Sequence, residues 1–474
     1  MGGAERGLGV LLLAAAGLIG SGCATTGLGP VVTSGAAVAP ARPFPPPPLD
    51  VSTLPPPPLM SGVGSSSMRI ATSSPRAQAY FDQGLNLLHG FWYFEAWRAF
   101  SEAVRLDSAC AMAHWGVYQS LRGNNSNAKA RKRALRRAKA LMATASGREQ
   151  HYIRAYAHLD SLGRRGHGRF LAEMKRLERL YPDDIEAKLF QVRFVMHQLG
   201  FYSKPRTGYP NRRQLLLPLL AAHPEHSAVH HYWLHAIEFT DHPEEGLESA
   251  AVIADLAPAV AHIAHMPGHI YYRTGDYDRA RAFFLRAAAV DSAYMVDQGI
   301  PVTRTWNYVH NLNYLLANYG EDGRYAEGMD WARRLQGIPL DRRRTLFFYQ
   351  GRMAPVRLQL RYGRWKEAAR TLERVAANDT ISRTFAGEYA RGLLEYALGM
   401  AAVARKDAEA AAAHETKLAE LERRHTAGTG AARKDRFYSG NRLQDLLLAA
   451  LELKGNLRSL QGDYEGAVEL LEAG

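Results

Sequence analysis

One local pattern recurs along this chain and restricts what it can fold into. QAYFDQGLNLLHGFWYFEAWRAFSEAVRLDS (78–108) carries small residues at Gly84, Ala96 and Ala103, with aromatics at Tyr93 and Phe100. GHIYYRTGDYDRARAFFLRAAAVDS (268–292) repeats it at Gly268, Tyr271, Gly275, Tyr277, Ala280, Phe284 and Ala287. Weaker copies follow at GRYAEG (323–328), GRWKEAA (363–369), KDAEAA (406–411) and GDYEGA (462–467), and a divergent one spans Ala228 to Pro258. Small residues let two helices approach closely while aromatics fill the space between them. Strand signals nearly vanish after residue 75. A unit of this kind cannot bury its apolar face alone, so successive copies must stack.

These residues resemble the tetratricopeptide repeat (TPR), a helix-turn-helix unit of about 34 residues. The resemblance implies an all-α fold over 76–474, a right-handed α-solenoid of TPR-like repeats. Helix pairs between about 127 and 222 fit the consensus poorly and read as irregular repeats. No polar capping helix follows the last one, as expected of a chain shorter than its relatives.

The N-terminus points to a compartment. MGGAERG precedes an apolar run, LGVLLLAAAGLIG, which is short for a bilayer span and ends in Gly20-Ser21-Gly22 before Cys23. This is the layout of a signal peptide, 1–22. The cysteine after it resembles a bacterial lipobox, which implies lipidation of Cys23, a membrane anchor and a cell-envelope location. Ala24 after the cysteine implies the outer membrane, facing the periplasm. Residues 23–75 are rich in Gly, Ala, Ser and Pro, with PPPP at 45–48 and 55–58. They read as a disordered, polyproline-like tether. Cys23 and Cys110 are the two cysteines, which excludes a disulfide framework and any cysteine-rich zinc module.

The candidate chemistry lies in VHHYWLHAIE (229–238) and AHIAHMPGH (261–269). Aligned on the repeat, with Gly268 and Leu234 at position 8, His262, His265, His269 and Tyr272 fall at positions 2, 5, 9 and 12. His231, His235 and Glu238 fall at 5, 9 and 12 of the preceding unit. His265 and His269 each follow their counterparts His231 and His235 by 34 residues, one repeat. In the next unit His310 takes position 2 and Asn313 position 5. The TPR resemblance implies that these positions face a concave groove, and spacings of three and four residues put them on one helical stripe. Pro267 lies inside its helix, where it is expected to kink the axis and re-aim His265 and His269. His230 points off the stripe. His114, His151, His197 and His414 read as hydrogen-bonded structural residues.

Imidazoles facing one groove repel when protonated and pack poorly when empty; a metal removes both objections. The expected ligands are therefore His231, His235, Glu238, His262, His265, His269 and His310, with Tyr272 and Asn313 lining the groove. Glu238 is the candidate ligand or general base. Histidine and carboxylate without thiolate suit a divalent transition metal: zinc, iron or copper. The two histidine blocks together with His310-Asn311 also resemble a bacterial family of secreted TPR proteins with a motif close to HMPxHI, for which no shared activity is firmly established. HExxH, GxSxG and P-loop motifs are absent.

Three functions remain open: a metal-binding solenoid that is also a metal-dependent enzyme if a coordination position is vacant, a scaffold for a peptide or protein ligand, and a structural envelope lipoprotein. The net charge of +13 favours acidic partners. The basic run KARKRALRRAK (129–139) reads as a solvated helix or one facing anionic lipid, with no nucleic-acid partner, and RRR (342–344) as a loop. The insertion between Tyr294 and Trp306 reads as a lid over the groove or a plain loop.

Overall fold

The structure is a computed structural model that describes residues 51, 54–122, 127–200, 205–339, 351–378, 385–426 and 439–473. Cys23, the leader, the first proline run and RRR at 342–344 lie outside them. The described residues form helices and turns with no strand, and none of these helices is long and apolar enough to cross a membrane. The protein has the all-α, TPR-like solenoid fold that the repeats imply. The chain divides into two compact units, one of residues 46–318 and one containing 319–474.

The first unit comprises α1 (Pro75–His89), α2 (Tyr93–Leu106), α3 (Ala111–Ser120), α4 (Ala128–Ala140), α5 (Gly147–Leu162), α6 (His167–Leu180), α7 (Ile185–Leu199), α8 (Arg212–Ala222), α9 (Ser227–Ile237), α10 (Leu247–Leu256), α11 (Ala261–Arg273), α12 (Tyr277–Asp297) and most of α13 (Trp306–Glu321). Consecutive helices pair as hairpins, α1 with α2, α3 with α4, and so on to α11 with α12. The small positions work as their spacing implies. A Cβ on Gly84 would meet the Phe100 ring at 2.7 Å, and one on Gly268 would meet Phe284 at 2.4 Å. In both hairpins the same pair of positions therefore sets how closely the helices approach.

Two features depart from expectation. Residues 54–74, read as tether, are packed onto α1. Gln78, Asp82 and Asn86 make a polar stripe along that helix and accept the backbone N–H groups of Ile70, Met68 and Ser66 at 3.0, 3.0 and 2.8 Å. The second proline run is held by Tyr80 and Gln83, which donate to the carbonyls of Pro57 and Pro58. Proline has no N–H to satisfy, so a segment rich in it can lie on a helix that supplies a few side-chain partners.

The second departure is that α1 packs against α9, far along the chain. A Cβ on Gly90 would touch Val260, and Ala259 N donates to Gly62 O. The first hairpin thus folds back over the fifth and sixth. Most of the insertion is a connecting loop, residues 298–305, with one short 3-10 helix at Val302–Arg304. Its first three residues finish α12, whose Tyr294 packs edge-on to Trp92 at 4.5 Å and hydrogen-bonds Glu95. The basic run forms α4, which buries Ala134, Leu135 and Ala138 and leaves most of its charges in water.

The other unit holds α14 (Tyr325–Gly337), α15 (Ala354–Arg361), α16 (Trp365–Ala376), α17 (Phe385–Ala404), α18 (Ala408–Thr426), α19 (Ser439–Leu460) and α20 (Tyr464–Glu472). Neighbours pair again, and Leu446 and Leu453 pack onto Gly392 and Gly399 of α17.

Candidate metal centre

α9 and α11 are first helices of adjacent repeats, and they carry their histidines to one place. His231 and His265 are fully buried, and His235, Glu238, His262 and His269 are at most 7% exposed; His310 of α13 is half-buried. Ring centroids of His262 lie 5.0 Å from His231, 5.5 Å from His235, 5.6 Å from His265 and 5.9 Å from His310. Ligand atoms of His231, His235 and His262 lie within 4.8 Å of one another, as do those of His262, His265 and His310. His262 belongs to both groups.

In four of these rings a hydrogen bond fixes which nitrogen is protonated. His231 Nδ1 donates to the His89 carbonyl at 2.7 Å. His265 Nδ1 donates to Asn311 Oδ1 at 2.8 Å, and the orientation of that amide is set because its Nδ2 donates to the Phe284 carbonyl. His262 Nδ1 donates to Asn307 Oδ1 at 3.1 Å. His235 Nδ1 donates to Glu238 Oε1 at 2.6 Å, and His269 Nδ1 lies 2.5 Å from the other carboxylate oxygen, Oε2, at ion-pair distance. With Nδ1 turned to an oxygen, each ring presents its Nε2 inward.

Those nitrogens meet. His235 Nε2 is 3.3 Å from His262 Nε2, and His265 Nε2 is 2.5 Å from His269 Nε2. His231 Nε2 is buried with no hydrogen-bond partner. Two lone pairs facing one another repel unless a proton or a cation lies between them. Nitrogens at about 2.0–2.1 Å from a tetrahedral ion stand about 3.3–3.4 Å apart. The His235–His262 separation fits that geometry. The His265–His269 pair suits a shared proton as it stands and would open to admit an ion.

The electrostatics agree. Burial holds His231, His262 and His265 well below the ordinary imidazole range, and neighbouring imidazoles push the same way. His310 is brought down to about 3 by burial and then by His269. Burial alone would raise Glu238, but His269 and His235 outweigh it and hold the carboxyl well below its usual range.

Several sequence expectations change here. Glu238 lies between the two helices, with Oε1 accepting from His235 and Oε2 beside His269 Nδ1. The positions do not line an open concave groove, because the α1–α2 turn closes over them. Phe91 in that turn stacks 5.4 Å from His235 and lies 4.6 Å from His231 and 5.3 Å from His262. Its φ of 57° is a left-handed value rare for a bulky side chain. Tyr272 packs on Tyr277, at 5.7 Å, beyond the cluster. Asn313 donates its amide to Val309 O, while Asn307 and Asn311 hold the histidines. α11 runs on through Pro267, and His265 and His269 end with their Nε2 atoms in contact.

His89, Phe91, Asn307 and Tyr314 were not singled out from the sequence, and Asn311 entered only beside His310 in the family motif. The Tyr314 ring is 4.1 Å from His269. An asparagine pair four residues apart beside His310 was the one local signal available. His230 is structural as expected, bonded to Ser249 and the Pro224 carbonyl. His114, His151 and His414 likewise bond Ser108 O, Glu173 and Glu395.

No protein-family model matches the chain, and no curated protein matches it. Among solved structures it is similar to a human IFIT1 dimer with m7Gppp-AAAA, at 14% identity over 85% of this chain and 90% of that one, with a TM-score of 0.38. It is also similar to the APC/C hetero-tetramer Cut9-Hcn1, at 13% identity over 84% and 76% of the two chains, TM-score 0.33. A third is the P58(IPK) TPR domain, at 12% identity over 84% and 98%, TM-score 0.20. The likeness is one of helical-repeat architecture alone.

Proposed function

We propose that the protein binds a transition metal, zinc, iron or copper, in the buried histidine cluster of its TPR-like scaffold. One observation carries this reading: four buried imidazoles commit Nδ1–H to oxygen acceptors, His269 sets its Nδ1 against Glu238, and their Nε2 atoms turn toward one another. Oxygen partners of this kind orient metal-bound histidines and set their tautomer. Without a cation the same arrangement buries unmet acceptors, a cost of about 1–3 kcal/mol each. The residues that would hold the ion are His231, His235 and His262, with His265, His269 and His310 as the adjoining set. A metal-dependent enzyme would further need a coordination position open to substrate.

The test is elemental analysis of protein purified without a histidine tag. Bound metal in stoichiometric amount is expected, together with a melting temperature that falls on chelation. Metal that binds N alone at one hundred times its dissociation constant adds about 2.7 kcal/mol. His262→Ala should remove most of that gain. A melting curve indifferent to metal, chelator and this substitution would leave a scaffold for a peptide or protein ligand as the better reading.

The envelope location is proposed from the sequence, on Cys23 after a leader-like apolar run. Mass spectrometry of the mature protein should find diacylglycerol on Cys23 at the N-terminus. An unmodified N-terminus elsewhere refutes the anchor.

A further inference from the structure

A second buried site lies among α2, α3, α5 and α7 and shares no side chain with the histidine cluster. Arg193 of α7 is 1% exposed, one of the largest side chains in the interior. Its guanidinium lies over the Tyr93 ring at 5.7 Å and reaches Gln119 Oε1 at 3.4 Å. Arg122, just past the end of α3, places its guanidinium over the Tyr156 ring at 4.8 Å. No carboxylate among the described residues pairs with either arginine, whereas buried Arg98 nearby in the sequence is held by Glu95.

The unmet polar atoms around this pair are of one kind. Arg193 Nε, Arg122 Nη1, Trp115 Nε1, Gln119 Nε2 and the Tyr156 hydroxyl are all buried and all without a hydrogen-bond partner. Trp115, Gln119 and Tyr156 are fully buried. Arg193 reaches Gln119, Arg122 lies over Tyr156, and the Trp115 and Tyr156 rings are 5.7 Å apart. The positive charge of Arg193 and Arg122 acts on the Tyr93 and Tyr156 hydroxyls, so these groups are neighbours. Each of the five can donate a hydrogen bond, and four of the five cannot accept one. Guanidinium does not deprotonate in proteins, so the two charges persist at any working pH. Contact with aromatic faces recovers only part of what removing a guanidinium from water costs. Water could serve one donor, but it offers no charge. An acceptor-rich anion supplies both.

We propose that Arg122, Arg193, Trp115, Gln119 and Tyr156 form a buried binding site for an oxyanion. The shared chemistry is that of a carboxylate or a phosphate, either of which a guanidinium fork can engage in a bidentate manner. The proposal is independent of the metal reading, since none of the five residues belongs to the histidine cluster.

The test is the melting temperature of the dialysed full-length protein, titrated with sodium acetate or inorganic phosphate against sodium chloride at equal ionic strength. A saturable rise with one of the two oxyanions and none with chloride is expected, and the more effective one identifies the ligand class. Arg193→Met should weaken that anion by at least tenfold. In chloride the same variant should melt no lower than the unsubstituted protein, because it removes an uncompensated buried charge. Should Arg193→Met fail to fold, Arg122→Met at the half-buried guanidinium gives the same comparison. A rise equal to that in chloride, or one that survives both substitutions, overturns the proposal.

Discussion

His235 and His262 face each other Nε2 to Nε2 across 3.3 Å, and each has given its Nδ1 proton to a buried oxygen. The two rings come from adjacent repeats, and neither can hydrogen-bond the other while both are neutral. A cation between them resolves the conflict, and Glu238, Asn307 and the turn at Phe91 hold the geometry that creates it.

Glu238 is the carboxylate that joins the two halves of the cluster. Glu238→Gln keeps its volume and one acceptor, but the new amide N–H meets the Nδ1–H of either His235 or His269. That ring must then turn or change tautomer. We expect a folded protein whose metal affinity falls about 10–100-fold, the range for losing an oxygen partner of a metal-bound histidine. Isothermal titration with zinc or copper checks this. Unchanged affinity would mean that Glu238 does not orient the ligands.

Stability of the metal-free protein should depend on pH in one direction. The folded values of His231, His262, His265 and His310 lie below the unfolded value near 6.5, so the unfolded chain binds more protons between them. Their contribution is fully present above pH 6.5 and is lost as the pH falls toward the folded values. Glu238, also lowered, acts in the same sense at more acidic pH. Each histidine contributes a slope of up to about 1.4 kcal/mol per pH unit. Thermal melts of chelated protein from pH 8 to 5 should show a plateau followed by a steep decline. A flat curve across that range contradicts the burial of neutral imidazoles.

Phe91 combines a strained backbone with a buried ring against three histidines. Phe91→Ala removes the ring and keeps the strain, for a loss of about 3–5 kcal/mol. Phe91→Gly removes both, and relief of the left-handed backbone returns about 1–2 kcal/mol. Urea denaturation should therefore find the glycine variant more stable than the alanine variant. The reverse order would show that the turn is not strained at this residue.

The repeats were legible in the sequence because their determinants are local. Gly84 and Phe100, or Gly268 and Phe284, lie within one hairpin, and their spacing alone states that two helices approach there. The alignment of His231 with His265 and of His235 with His269 was legible for the same reason, since one repeat length separates them. Tyr272 and Asn313 share that register, yet one packs on Tyr277 and the other bonds its own helix. Register places a side chain on a face and leaves its rotamer and partner undetermined.

What the tertiary structure alone decided comes from contacts distant along the chain. His89 and Phe91 reach α9 only because α1 folds back across the unit. That closure turns an expected open groove into a buried cluster. Burial in turn disfavours the charged forms of His231, His262, His265 and His310. Arg193 and Arg122 looked like two ordinary basic residues in the sequence. Whether a guanidinium sits in water or among unmet donors depends on four helices meeting, and no local pattern records that. Helical periodicity and repeat spacing are properties of neighbours in sequence; which polar atoms lose their water, and which find a partner, is settled by the packing of elements that the chain brings together from far apart.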